Sequence, residues 1–148
     1  MDHSAKLLDG LTSVHRLLAE SKQEGFGMSL HMLIDGYGAN KETLSSRVAV
    51  EGMLRDLPGA LNMKVIYGPV AIHYTGSSPL DWGISGFVII AESHISIHTF
   101  PERGSYWADV FSCLGFDADQ IAAYFRALFG GDLTYELHAR PLPEVSYA

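Results

Sequence analysis

A chain of 148 residues is long enough for one domain with a buried core, and 47% hydrophobic against 18% charged residues excludes a disordered chain. The formal net charge of −7 argues against nucleic acid as the main partner, since phosphate binding needs a basic face. The single cysteine excludes an internal disulfide and fits a reducing cytoplasm.

Charges interrupt the N-terminus, so no secretory leader is expected there. No apolar run approaches the roughly 20 residues that span a bilayer. Leu7, Leu8, Leu11, Val14, Leu17 and Leu18 recur at helical spacing, and Gly25 and Gly27 end the pattern. Residues 1–27 thus read as an N-terminal helical extension and 28–148 as one domain. Met28 to Asp35 reads as a strand, and Gly36 to Asn40 as a loop with Asn40 as a helix cap. Glu42 to Leu57 reads as a helix stopped by Pro58-Gly59. Met63 to Tyr67 and Val70 to Tyr74 read as two strands broken by Gly68-Pro69. Ser85 to Ala91 is apolar on both faces, as in a strand covered on both sides. In the next segment Ile95 and Ile97 point one way, and His94, Ser96 and His98 the other. Trp107 to Cys113 and Leu133 to His138 are further strands, with an amphipathic helix from Asp117 to Phe129 between them. The order predicts an α+β two-layer sandwich, a mostly antiparallel sheet with helices packed on one face.

Chemistry-bearing residues concentrate between Gly83 and Cys113. The ordinary role of a lone cysteine such as Cys113 is a small buried hydrophobe. His94 and His98 share a strand face. A metal site there needs a third ligand, His31 or His73, and convergence that spacing does not show; the plain alternative is a polar sheet face. Ser93 lacks the nucleophile-elbow context of serine hydrolases. Gly36-Tyr37-Gly38 lacks the third glycine of a phosphate loop. Spacing therefore ends at a polar site of Ser, His, Cys and Glu.

The string Ala91-Glu92-Ser93-His94-Ile95-Ser96-Ile97-His98-Thr99-Phe100-Pro101-Glu102 resembles the processing segment of the prokaryotic S-adenosylmethionine decarboxylases. The resemblance extends upstream through Gly83-Ile84-Ser85-Gly86 and downstream to Asp109-Val110-Phe111-Ser112-Cys113, with a weaker echo in Leu30 to Asp35. It implies a pyruvoyl-dependent carboxy-lyase of polyamine (spermidine) synthesis, made as a proenzyme. By position, Ser93 would become the covalent pyruvoyl group that forms a Schiff base with substrate. The chain would cut itself between Glu92 and Ser93, giving a β chain 1–92 and an α chain 93–148. His98 and Ser85 match processing residues, and Cys113 the proton donor of decarboxylation. A thiol suits that role, being mostly protonated at neutral pH when unperturbed. Glu102 matches the glutamate that holds the ribose hydroxyls, and the resemblance implies no metal. It also implies a cytoplasmic homodimer of processed protomers.

Around Pro79 the family pattern is departed from, since some relatives carry an aromatic residue there that stacks on adenine; Trp82 lies nearby. Phe100 stands where some relatives have tryptophan. These departures bear on the substrate. S-adenosylmethionine is the leading expectation and a basic amino acid, arginine or ornithine, the alternative, for which Asp81 or Glu102 would be the natural partner.

Overall fold

Residues 28–141 are described by a computed structural model, and both the expected N-terminal helix and the tail after Pro141 lie outside the described residues. The elements are β1 (Met28–Tyr37), α1 (Lys41–Leu44), α2 (Arg47–Ala60), β2 (Val65–Thr75), β3 (Trp82–Ile90) and β4 (Ser93–Phe100). A 3-10 turn (Pro101–Arg103), β5 (Ser105–Ser112), α3 (Ala118–Phe129) and β6 (Asp132–Pro141) follow. The strands form one sheet in the order β2-β3-β4-β5-β1-β6, and every neighbouring pair is antiparallel. This is the expected α+β two-layer architecture, with a sheet that is wholly antiparallel.

The alternation of β4 decides which way each residue faces. Ser93, Ile95, Ile97 and Thr99 are buried beneath the helices, whereas His94 and His98 are exposed on the other face. The core joins Val50, Met53, Leu54 and Leu57 of α2 to Ile121, Ala122, Phe125 and Phe129 of α3. Both helices lie over the same side of the sheet, on Met32, Ile34, Val88, Ile95, Ile97 and Val110. Each fully buried large side chain contributes about 1.5–3 kcal/mol relative to exposure. Gly36 leaves room for the ring of Tyr106, which a Cβ at that position would overlap.

The structure departs from the expected elements in three places. The single helix from Glu42 to Leu57 is two helices, because Ser46 leaves the helical conformation and restarts the chain, accepting from Ala49 N at 3.1 Å. The second of them runs through Pro58 to Ala60, although Pro58 has no N–H to give to the helical ladder. The two strand pieces around Gly68-Pro69 are one strand, β2, with register shifts between Val65 and Val70. Gly68 absorbs the irregularity at φ +93°, a conformation suited to glycine. Finally, β3 is not covered on both sides by the described residues. Phe87 and Ile89 are 39% and 41% exposed on the helix-free face, together with Leu33 and Trp107.

Thr99 ties the helical layer to the sheet. Its fully buried hydroxyl accepts from Ile84 N at 2.9 Å and donates to Leu44 O at 2.8 Å. Thr99→Val keeps the shape and leaves both backbone groups short of a partner, at an expected cost of about 1–3 kcal/mol. Urea unfolding should show the midpoint fall with the slope unchanged; an unmoved midpoint would mean that this hydroxyl holds nothing.

Candidate active site

Ile90 of β3 pairs with Ser93 of β4, so Ala91 and Glu92 form a two-residue hairpin turn. Glu92 sits at φ 62°, a left-handed conformation that glycine or asparagine adopts freely and other residues hold at a cost of about 1–3 kcal/mol. Immediately after it Ser93 turns inward and is 6% exposed. Because β4 and β5 run antiparallel, the end of β5 lies beside the start of β4. There Cys113 N donates to Ser93 Oγ at 2.8 Å, and Cys113 Sγ donates weakly to Ala91 O at 3.5 Å. Ser112, fully buried, clamps the turn that carries Cys113. Its hydroxyl accepts from Leu114 N at 2.9 Å and donates back to Leu114 O. The structure therefore brings Glu92, Ser93 and Cys113 together.

Ser85 and His98 form a second group. They face each other across β3 and β4, and Ser85 Oγ shares a hydrogen bond of 2.7 Å with His98 Nδ1. This pair does not meet Ser93 of its own chain. Five residues of strand separate Ser93 from His98, about 16 Å at the usual rise, and the odd interval puts them on opposite faces of the sheet. Ser93 and His98, both named by the resemblance as processing groups, thus stand apart within one chain.

His94 lies on the same open face as His98, beside His31 (ring centroids 6.4 Å apart) and Phe111 (5.5 Å). His31 Nε2 lies 3.1 Å from Asp109 Oδ1. Partial burial pushes the His94 imidazole below its ordinary pKa, and the neighbouring His31 adds to the shift. No three His, Cys, Asp or Glu side chains converge as metal ligands among the described residues.

A third group sits at the far end of β3 and β4, beyond about 20 Å from Ser93. Both Glu102 carboxylate oxygens accept from Lys41 Nζ, at 2.9 and 3.0 Å, and Oε1 also accepts from Trp82 Nε1 at 3.3 Å. The Lys41 hydrogen bond is the main reason the Glu102 carboxyl is held below the usual range. Asp81 is bound by Arg103 through Nε and Nη2, at 3.1 and 2.9 Å. The Trp82 ring stacks on His73 at 5.7 Å, beside a cleft of about 390 Å³ that Thr75, Ser77, Ser78 and Pro79 help to line. Phe100 does not join this group. It packs edge-on against Trp107 at 4.7 Å, and the strand alternation turns it to the side opposite Thr99.

Lys41 and Ser112 are the residues that sequence reasoning missed. Lys41 reaches Glu102 across 61 positions, and only the packing of α1 against the 3-10 turn brings them together. Ser112 reads as one more strand residue until the turn after it is seen.

The family model for S-adenosylmethionine decarboxylase matches residues 30–140. The S-adenosylmethionine decarboxylase proenzyme of Clostridium botulinum (strain Langeland) is 37% identical over 97 residues, which cover 65% of this chain and 78% of that protein. The proenzyme of Thermodesulfovibrio yellowstonii is 35% identical over 100 residues, 68% of this chain and 70% of its own length. The crystal structure of the adenosylmethionine decarboxylase from Aquifex aeolicus superposes with a TM-score of 0.63 at 26% identity, covering 82% of this chain and 98% of that one.

Proposed function

Because the chain belongs to the S-adenosylmethionine decarboxylase family, whose members act on S-adenosylmethionine through a pyruvoyl group made from serine by self-cleavage, we propose that Ser93 is that serine and Glu92–Ser93 the bond that is cut. The observation that carries this reading is the hairpin turn, where a left-handed Glu92 leads directly into a buried Ser93 whose oxygen is already held. Residues 28–148 are then the decarboxylase domain and residues 1–27 an extension, in keeping with the family match over 30–140.

The cut follows from the atoms present. Ser93 Oγ attacks the carbonyl carbon of Glu92 and gives up its proton. The C–N bond breaks, and the amide becomes an ester with a free amine at Ser93. A base then removes the Ser93 Cα proton. The Cβ–Oγ bond breaks, and Glu92 leaves as a C-terminal carboxylate. Hydrolysis of the remaining residue releases ammonia and leaves the ketone. The imidazole of His98 suits the base, and Ser85 fixes which of its nitrogens is free.

Since His98 lies about 16 Å along the strand from Ser93 of its own chain, the base that takes the Ser93 Cα proton is His98 of a second copy, and the working unit is a homodimer joined through the helix-free face. That face carries Leu33, Phe87, Ile89 and Trp107 partly exposed. Covering it would also account for the doubly apolar sequence of β3. A two-fold arrangement completes both sites at once.

A pyruvoyl group at Ser93 would supply the carbonyl that binds the substrate amine and the electron sink for loss of carbon dioxide. Cys113, whose thiol lies 3.5 Å from Ala91 O beside the cut, delivers a proton to the substrate carbon. Keeping that thiol reduced supports a cytoplasmic location. Glu102 and Trp82, beside the cleft and at the His98 end of the strands, are the candidates for holding the nucleoside of a substrate bound at Ser93 of the second copy. Neither Asp81 nor Glu102 offers an unpaired carboxylate for a cationic side chain, since Arg103 and Lys41 already occupy them. Arginine and ornithine are therefore poorly supported as substrates. Decarboxylated S-adenosylmethionine, the product, is the aminopropyl donor for spermidine.

Intact mass spectrometry of the incubated 16.2 kDa chain tests the reading, with fragments of about 10 and 6 kDa expected from a cut after Glu92. Carbon dioxide release should follow from S-adenosylmethionine and not from arginine or ornithine. A chain that stays whole would sink the Ser93 assignment, and release from the basic amino acids alone would overturn the substrate.

A further inference from the structure

Resting on the assignment of Ser93 as the processed serine, we infer that the backbone N–H of Cys113 is the catalytic donor to the leaving oxygen in self-cleavage, and that Ser112 positions it. Ser93 Oγ lies 2.8 Å from Cys113 N. During ester formation this oxygen passes from hydroxyl to ester and ends without charge. During elimination the pair of electrons in the Cβ–Oγ bond goes to Oγ, which departs as part of the Glu92 carboxylate. A donor aimed at Oγ therefore strengthens as that step proceeds, because hydrogen bonds to a charged acceptor are roughly twice as strong as neutral ones.

The donor is well placed because of what holds it. The ladder between β4 and β5 ends at the pair His94 and Phe111, so Cys113 lies two residues beyond it. Ser112 supplies the missing constraint. Its buried hydroxyl grips both the N–H and the carbonyl of Leu114, closing a tight turn around Cys113. With the turn closed, the Cys113 N–H points at Ser93 and continues the ladder onto a side chain. Cys113 thus works twice, through its backbone in cutting and through its thiol in decarboxylation.

The test follows processing of the full-length wild-type, Ser112→Ala and Ser112→Thr chains, each sampled over time with and without hydroxylamine, which cleaves esters and spares amides. Ser112→Ala should be cut about tenfold or more slowly, a conservative share of the loss from removing an oxyanion-type donor. Its uncut chain should accumulate as a hydroxylamine-sensitive ester, because the slowed step lies after ester formation. Ser112→Thr, which keeps the hydroxyl, should be cut near the wild-type rate. Cutting of Ser112→Ala at the wild-type rate would overturn the inference. So would slow cutting in which the chain resists hydroxylamine, or a threonine variant as slow as the alanine one. A wild-type chain that never divides removes the Ser93 assignment itself, a failure distinguishable from the other three.

Discussion

Replacing Ser93 by alanine is expected to leave one undivided chain of 16.2 kDa and no measurable decarboxylation. The serine oxygen is both the nucleophile of the cut and the precursor of the ketone, so its loss removes the electron sink and not merely one contact. Activity should fall to background, at least about 10⁶-fold by the scale of enzymatic accelerations. No neighbour is placed to substitute. The Cys113 thiol is directed at the carbonyl of Ala91, one peptide before the bond to be broken. Denaturing electrophoresis and carbon dioxide release should move together in this variant. Two fragments from Ser93→Ala would place the cut elsewhere. Cys113→Ala makes the instructive contrast, since it keeps the backbone donor. It should still divide while carbon dioxide release falls.

The second large effect is recovery. His98→Ala alone should stay undivided or stall, and Ser93→Ala alone is undivided by construction. Co-expressed, they should restore part of the function, because a mixed dimer joins Ser93 from one chain to His98 of the other. Random pairing gives about a quarter of the wild-type number of complete sites. The divided chains should all carry the His98→Ala change, which mass spectrometry can read directly. Failure to recover anything, or normal division of His98→Ala by itself, would refute a site shared between copies.

Much of this molecule is legible in its sequence where one-dimensional periodicity and three-dimensional position coincide. The alternation around Ile95 and Ile97 and the apolar stripe of α3 are of that kind, and the observed β4 and α3 follow them closely. The break between α1 and α2 is not, because Ser45 and Ser46 read as ordinary helix residues until Ser46 takes the cap. The opposition of Ser93 and His98 was within reach, since an interval of five along a strand reverses the face. A resemblance that names both residues as processing groups says nothing of which chain each comes from. The pairing of Asp81 with Arg103 and Glu102 with Lys41 is tertiary and left no trace in spacing. It bears directly on the substrate. The apolar outer face of β3 reads as a covered face, while the described residues leave Phe87 and Ile89 open.

The strand order has a topological consequence for the divided protein. A cut after Glu92 assigns β1, β2 and β3 to one polypeptide and β4, β5 and β6 to the other. In the sheet, β1 of the first piece is threaded between β5 and β6 of the second. The two pieces are interlaced and cannot drift apart without opening three ladders. Division thus leaves the native state intact but changes the molecularity of refolding. The intact precursor recovers from denaturant in a first-order process. The divided protein must first bring two polypeptides together, so its recovery slows on dilution.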